Sequence, residues 1–204
     1  MKVSIRNSYP YYLLRNLQSW VQWKQRRYEA PSPLFIKRAV LLRNGLPDST
    51  WIETGTYLGE TTRFLAHRSR FVYSLEPEPT LFANAKHQFE GTGNVRIING
   101  TSETVLPSLL PTISGNVNFW LDGHYSAGLT FKGPQDTPIG DELNCIAKNL
   151  AHFDRICVLI DDVRLFTCNS NESSGYPPLD FLVTWAKNTD LRWHIEHDVF
   201  VAKN

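Results

Sequence analysis

Short apolar runs alternate along the chain with longer segments whose apolar residues recur at three- and four-residue steps. Trp51-Ile52 ahead of Glu53, Phe71–Glu76, Val95–Ile98, Val117–Leu121 and Ile156–Ile160 read as strands. Glu60–Arg68, Thr80–Phe89, a short segment ending at Leu110, a segment with Leu143, Ile146, Ala147 and Leu150, and a segment running through Trp185 to Asn188 read as helices. Thr137-Pro138 supplies a cap and a first-turn proline for the fourth of these, and Pro177-Pro178 opens the fifth. Leu191–His197 and Val199–Lys203, joined at Asp198, read as a closing β-hairpin. Two helices precede this core: Tyr11–Tyr28, broken by Pro31 and Pro33, and Leu34–Leu42, which Asn44-Gly45 should stop. Strand and helix alternating five times predicts an α/β, three-layer, doubly wound sheet with helices on both faces and an N-terminal helical extension. The division expected is residues 1–45 as the extension, a cover or dimer element, and 46–204 as the domain.

The strands end on chemistry. Trp-Ile-Glu-Thr-Gly-Thr-Tyr-Leu-Gly-Glu-Thr-Thr, residues 51–62, is a strand, a glycine turn and a helix start. Gly55 can take backbone angles that a side chain forbids, and Gly59 lets the helix lie close to the strand or to a ligand. About twenty residues on, the second strand ends at Glu76, the spacing at which an α/β nucleotide fold places its ribose-binding acid. A glycine turn alone is common packing furniture, but carboxylates capping apolar strands are costly unless they meet partners. Glu53, Glu76, Asp122 and Asp161-Asp162 all fall on the carboxyl edge of the sheet, where open α/β folds bind ligands.

Composition narrows the class. At 204 residues, 42% hydrophobic and 20% charged, the chain suits one domain with a full core. It has no apolar run long enough to span a bilayer and no signal-peptide core at its start, so a cytoplasmic protein is expected, with no membrane partner. Cys145, Cys157 and Cys168 form no Cys-x-x-Cys pair and suggest no disulfide framework. Net charge is +1 but uneven, with nine Lys or Arg and a single acid, Glu29, in the first 45 residues. That basic segment could meet nucleic acid, an anionic substrate, or the acidic body of its own or a neighbouring subunit; the last is favoured, since no RNA-binding signature accompanies it. His67, His87, His152, His194 and His197 show no ligand spacing and read as surface or satisfied residues.

From about residue 50 to the end the chain resembles a class I S-adenosylmethionine-dependent methyltransferase, through Glu53-x-Gly55-x-x-x-Gly59, Glu76, Gly100-Thr101-Ser102, Leu121-Asp122-Gly123-His124 and the hairpin. The resemblance implies a mostly parallel seven-stranded sheet with an antiparallel last strand. It implies that Glu53 and Gly55 flank the methionine part of S-adenosylmethionine and that Thr56, Tyr57, Gly59, Thr61 and Asp122 also bind it. Glu76 would take the ribose hydroxyls, and Thr101 or Ser102 would lie by the adenine. The donor has no pyrophosphate, so the third glycine of a dinucleotide turn is not needed, and Glu60 at that position would repel one. This separates the chain from a nicotinamide dehydrogenase.

Within that superfamily, Asp122 with Asp161 and Asp162 is similar to the metal triad of the macrocin and catechol O-methyltransferase types. Three oxygen ligands suit Mg²⁺, which would acidify and hold a substrate hydroxyl. An acid after the fourth strand also occurs without a metal, and Asp161-Asp162 could cap a turn. Asp122, His124 and Tyr125 are the candidate catalytic residues, with His124 first as base and Tyr125 second. The expected function is O-methylation of a small hydroxylated substrate, with Mg²⁺ assistance as an option, nucleic acid not expected as a partner, and a homodimer an open possibility. The alternative is a cofactor-binding domain without activity that interacts through its basic N-terminus.

Overall fold

The computed structural model describes residues 9–123, 137–166 and 175–204. Seven strands form one sheet: β1 (Thr50–Thr54), β2 (Phe71–Glu76), β3 (Val95–Asn99), β4 (Gly115–Leu121), β5 (Phe153–Ile160), β6 (Arg192–Glu196) and β7 (Val199–Lys203), in the order β3-β2-β1-β4-β5-β7-β6. β1 to β5 pair in parallel, while β7 runs antiparallel to β5 and to β6. The seven-stranded mixed sheet expected from the sequence is therefore present, with β7 as the reversed strand. No described helix is long and apolar enough to cross a membrane.

Alternation along the buried strands divides the core into two layers. Ile52, Leu75, Phe119, Leu121, Val158, Ile160 and Phe200 face α5 (Ser102–Leu109), α6 (Ile139–Asn149) and α7 (Leu179–Asn188), where Leu106, Leu143, Ile146, Leu182 and Trp185 meet them. On the opposite face Trp51, Val72, Trp120, Cys157, Leu159 and Val201 pack with Leu65 of α3 (Glu60–Ala66) and with Val40 and Leu41 of α2 (Leu34–Asn44). Cys157 is a core residue whose thiol burial pushes up to about 12. α4 (Pro79–Gln88) adds Leu81 and Ala85. α1 (Tyr9–Gln25) behaves differently: Leu13, Leu14, Leu17, Trp20 and Val21 are exposed, and the helix ends where Arg27 and Tyr28 take positive φ.

Two details differ from the sequence reading. Gly45 does stop α2, but in extended geometry (φ −61°, ψ 142°) rather than as a left-handed cap. A Cβ there would lie 2.5 Å from the Trp51 ring, so packing against Trp51 is what demands glycine. α6 starts at Ile139, after Pro138, and Thr137 Oγ1 accepts from the Ile139 amide at 3.4 Å.

Glu53 ties β1, β2 and α3 together beneath the glycine turn. Its carboxylate is buried, and Oε2 accepts from Thr62 Oγ1 at 2.5 Å and Ser74 Oγ at 2.6 Å. Ser74 Oγ also lies 2.6 Å from Thr56 Oγ1. Burial raises the Glu53 pKa from 4.5 to about 7, against the pull of the Ser74 and Thr62 hydroxyls, and Glu76 raises it further. A proton held more tightly by the folded than the unfolded chain stabilises at low pH, and this contribution disappears as pH rises from 4.5 to about 7. Glu53→Gln, neutral throughout, should therefore gain stability relative to the parent across that window, by up to on the order of 3 kcal/mol. Urea unfolding of both proteins at pH 5 and pH 8 measures this; parallel pH dependences would show that Glu53 is not the titrating group.

Candidate functional site

The order β2-β1-β4-β5 puts a topological switch point between β1 and β4, where the connections leave to opposite faces of the sheet, the place at which open α/β folds have their ligand crevice at the carboxyl ends. Main chain forms its floor. Asp122 N donates to Thr54 O at 3.2 Å, Asp161 N to Leu121 O at 3.1 Å and Gly100 N to Glu76 O at 3.2 Å, so successive strand ends are laced together. Gly55 has φ 97°, and a Cβ on it would stand 2.9 Å from Asp122 O. Gly55 and Thr56 amides both donate to Leu75 O, Gly59 N donates to Thr56 O at 2.8 Å, and Gly59 caps α3 in the left-handed region. The turn between them exposes Tyr57 and Leu58, while Thr61 is half-buried in the first turn of α3.

Glu76 points at this turn. Its Oε2 accepts from Tyr57 N at 2.8 Å and its Oε1 from Glu78 N at 3.0 Å. Burial raises its pKa, against those two backbone donors. Next to it, at the end of β3, Thr101 caps α5 with its hydroxyl 3.2 Å from Thr104 Oγ1, and Ser102 is buried behind it. Glu53 is buried beneath the turn, with Oε2 in the Thr62–Ser74 network and Oε1 without a hydrogen-bond partner among the described residues.

On the other side of the switch point the acids of β4 and β5 meet. Ligand oxygens of Asp122, Asp161 and Asp162 all lie within 4.8 Å of one another. Burial raises the Asp122 carboxyl well above the ordinary carboxylate range, and the charge of Asp161 adds to this. Asp161 is raised to about 6, chiefly by burial and against the nearby Lys37. Asp162 has φ 56°, and its amide donates to Asp161 Oδ1 at 2.8 Å. These acids already hold cations of the chain itself. Lys37 Nζ of α2 is 2.5 Å from Asp161 Oδ2 and 3.1 Å from Asp162 Oδ1, and Arg164 Nη1 donates to Asp162 Oδ1 at 2.6 Å and to Asp198 Oδ2. A divalent ion at this group would have to share Asp161 and Asp162 with Lys37 and Arg164, so the residues as arranged do not fit the Mg²⁺ that the sequence offered as an option.

His124 and Tyr125 lie outside the described residues. Sequence reasoning missed Lys37, Arg164, Asp198 and Glu142. Glu142 is buried in α6, its Oε1 without a partner among the described residues, and burial raises it to about 7. Lys37 carries no local signal, because its partner is 124 residues further along. Asp198 appeared only as a hairpin joint. Glu142 alone gave a hint, as an acid beside Leu143 on the apolar face of its helix.

No protein-family model matches this chain, and a search of curated proteins finds no match. Among solved structures, a Streptococcus mutans protein assigned as a methyltransferase and solved with SAH is similar at 17% identity and a TM-score of 0.52, covering 86% of this chain and 98% of that one. A Clostridium thermocellum protein assigned as an rRNA methylase shares 12% identity with a TM-score of 0.55, over 86% and 97%. Fibrillarin from Aeropyrum pernix, with natively bound S-adenosyl-L-methionine, shares 12% with a TM-score of 0.50, over 82% and 73%. These likenesses do not single out the macrocin and catechol type. They also correct the expectation of a small hydroxylated partner with nucleic acid set aside, since a protein assigned as an rRNA methylase stands at the same degree of likeness. The missing RNA-binding signature does not decide the acceptor, because acceptor choice sits in sites grafted onto a fold and has no transferable code. By architecture the chain has the fold of the class I S-adenosylmethionine-dependent methyltransferases.

Proposed function

We propose that the chain is an S-adenosylmethionine-dependent methyltransferase that methylates oxygen. The observation that carries this reading is Glu76, fixed by the Tyr57 and Glu78 amides at the glycine turn beside the switch point. A carboxylate has about four acceptor positions, and two are used here, which leaves capacity for both hydroxyls of a ribose. Gly55, Thr56, Tyr57, Gly59, Thr61 and Asp122 are assigned to the methionine side and Thr101 and Ser102 to the adenine side. Glu53 supports the turn from below. The donor supplies a methyl group on a sulfonium, and the chain's task is to orient an acceptor oxygen and remove its proton. His124, two residues beyond Asp122, is the proposed base, with Tyr125 second. The acceptor is read as a hydroxyl-bearing molecule, a class that includes RNA with its 2′-hydroxyl at every nucleotide.

Calorimetry with S-adenosylhomocysteine tests the donor site. Wild type should bind, and Glu76→Ala should bind roughly 30-fold more weakly, the scale of about 2 kcal/mol for hydrogen bonds to a charged group. No binding by wild type would end the proposal. For the base, His124→Ala should lower labelled-methyl turnover about 100-fold while leaving the S-adenosylhomocysteine affinity within about twofold. Unchanged turnover would remove His124 from that role.

A further inference from the structure

α2 brings one side chain into the strand-end acids from outside the α/β alternation. Lys37, Val40, Leu41 and Asn44 recur at three- and four-residue steps and so share one helix face. Val40 and Leu41 are fully buried against the sheet, and Arg38 Nη2 donates to Glu60 O at 2.8 Å on the neighbouring helix. The same face continues toward the carboxyl edge as Lys37, so burial of the two apolar residues fixes where the ammonium goes.

It goes between the two acids. The Lys37 side chain is 14% exposed, and its partners Asp161 and Asp162 are 2% and 8% exposed. A surface ion pair of this kind would be worth little, but buried acids that lose their partner are strongly destabilised. Asp122, Asp161 and Asp162 also form the described group of side chains with the oxygen spacing of a cation site. An ammonium within 3.1 Å of two of these carboxylates occupies the volume of an ion that would bind the same oxygens at about 2.0 to 2.6 Å, and it repels any second cation.

We propose that Lys37 is a built-in counter-ion standing where a divalent cation would otherwise bind, so that this acidic site takes up no metal while the lysine is in place. The inference goes beyond the proposed methyl transfer and does not depend on it. Removing the ammonium withdraws its charge from Asp161 Oδ2 and Asp162 Oδ1, and although Arg164 stays on Asp162, the Asp161 carboxylate is then open to a hard cation.

Titration of the full-length protein with Mn²⁺, followed by electron paramagnetic resonance of the free ion, tests this without donor or acceptor. Wild type should bind no Mn²⁺ at these acids, and Asp161→Asn should not alter its titration. Lys37→Met, which keeps the stem and removes the charge, should bind Mn²⁺ at least tenfold more tightly than wild type, and the added Asp161→Asn substitution should abolish the gain. Lys37→Gln serves if circular dichroism shows the Met variant unfolded. Wild-type Mn²⁺ binding that Asp161→Asn removes would overturn the proposal, as would folded Lys37 variants that bind no better than wild type. Since S-adenosylhomocysteine binding is measured separately, failure here and failure of the donor site are distinct results.

Discussion

Desolvation of carboxylates at one edge of the sheet is the constraint on which the site depends. Parallel strands bring Glu53, Glu76, Asp122 and Asp161 to a common rim, and a buried carboxylate without compensation is expensive. The chain compensates each differently. Glu53 takes two hydroxyls and a raised pKa, Glu76 takes two backbone amides, and Asp161 with Asp162 takes Lys37 and Arg164. The acid that recruits only backbone donors is the one that keeps capacity for a ligand, whereas those that recruit side-chain cations are already ion-paired.

The same constraint gives the N-terminal helices a place. Their positive charge faces the negative charge of the α/β body: Arg15 makes a two-pronged pair with Glu60 at 2.6 Å, Lys37 meets Asp161 and Asp162, and Arg43 pairs with Glu196. Glu60 is pulled below its ordinary pKa, first by the Arg15 hydrogen bond. Part of the basic charge of the N-terminal segment is thus paired with acids of the body. α2 contributes Val40 and Leu41 to the core as well, so it is held by packing and by charge together.

Most of the fold was legible because its signals are local. Apolar runs such as Ile156–Ile160 are unambiguous buried strands, and Pro177-Pro178 marked the start of α7. Glu76 was legible too, since its partner Tyr57 sits on the glycine turn that the motif itself contains. What escaped was set by distance along the chain. Lys37 looks like any surface lysine until the sheet brings β5 to it, and that one contact turned an expected metal triad into an ion-paired cluster. The role of Gly45 escaped for a related reason: it is fixed by an aromatic ring on the next element, not by the turn it occupies. Glu53 was expected to need partners, and it finds them in the Thr62 and Ser74 hydroxyls.

The approach of Gly55 to the Asp122 carbonyl has one more consequence. Where two backbones touch directly, the shape of the crevice there is carried by peptide groups that every sequence shares. Divergence can therefore rewrite the walls, replacing loops and helix faces to admit new acceptors, while the bottom keeps its contour. That offers a physical reason why chains retaining little common sequence can still superpose around the same fold.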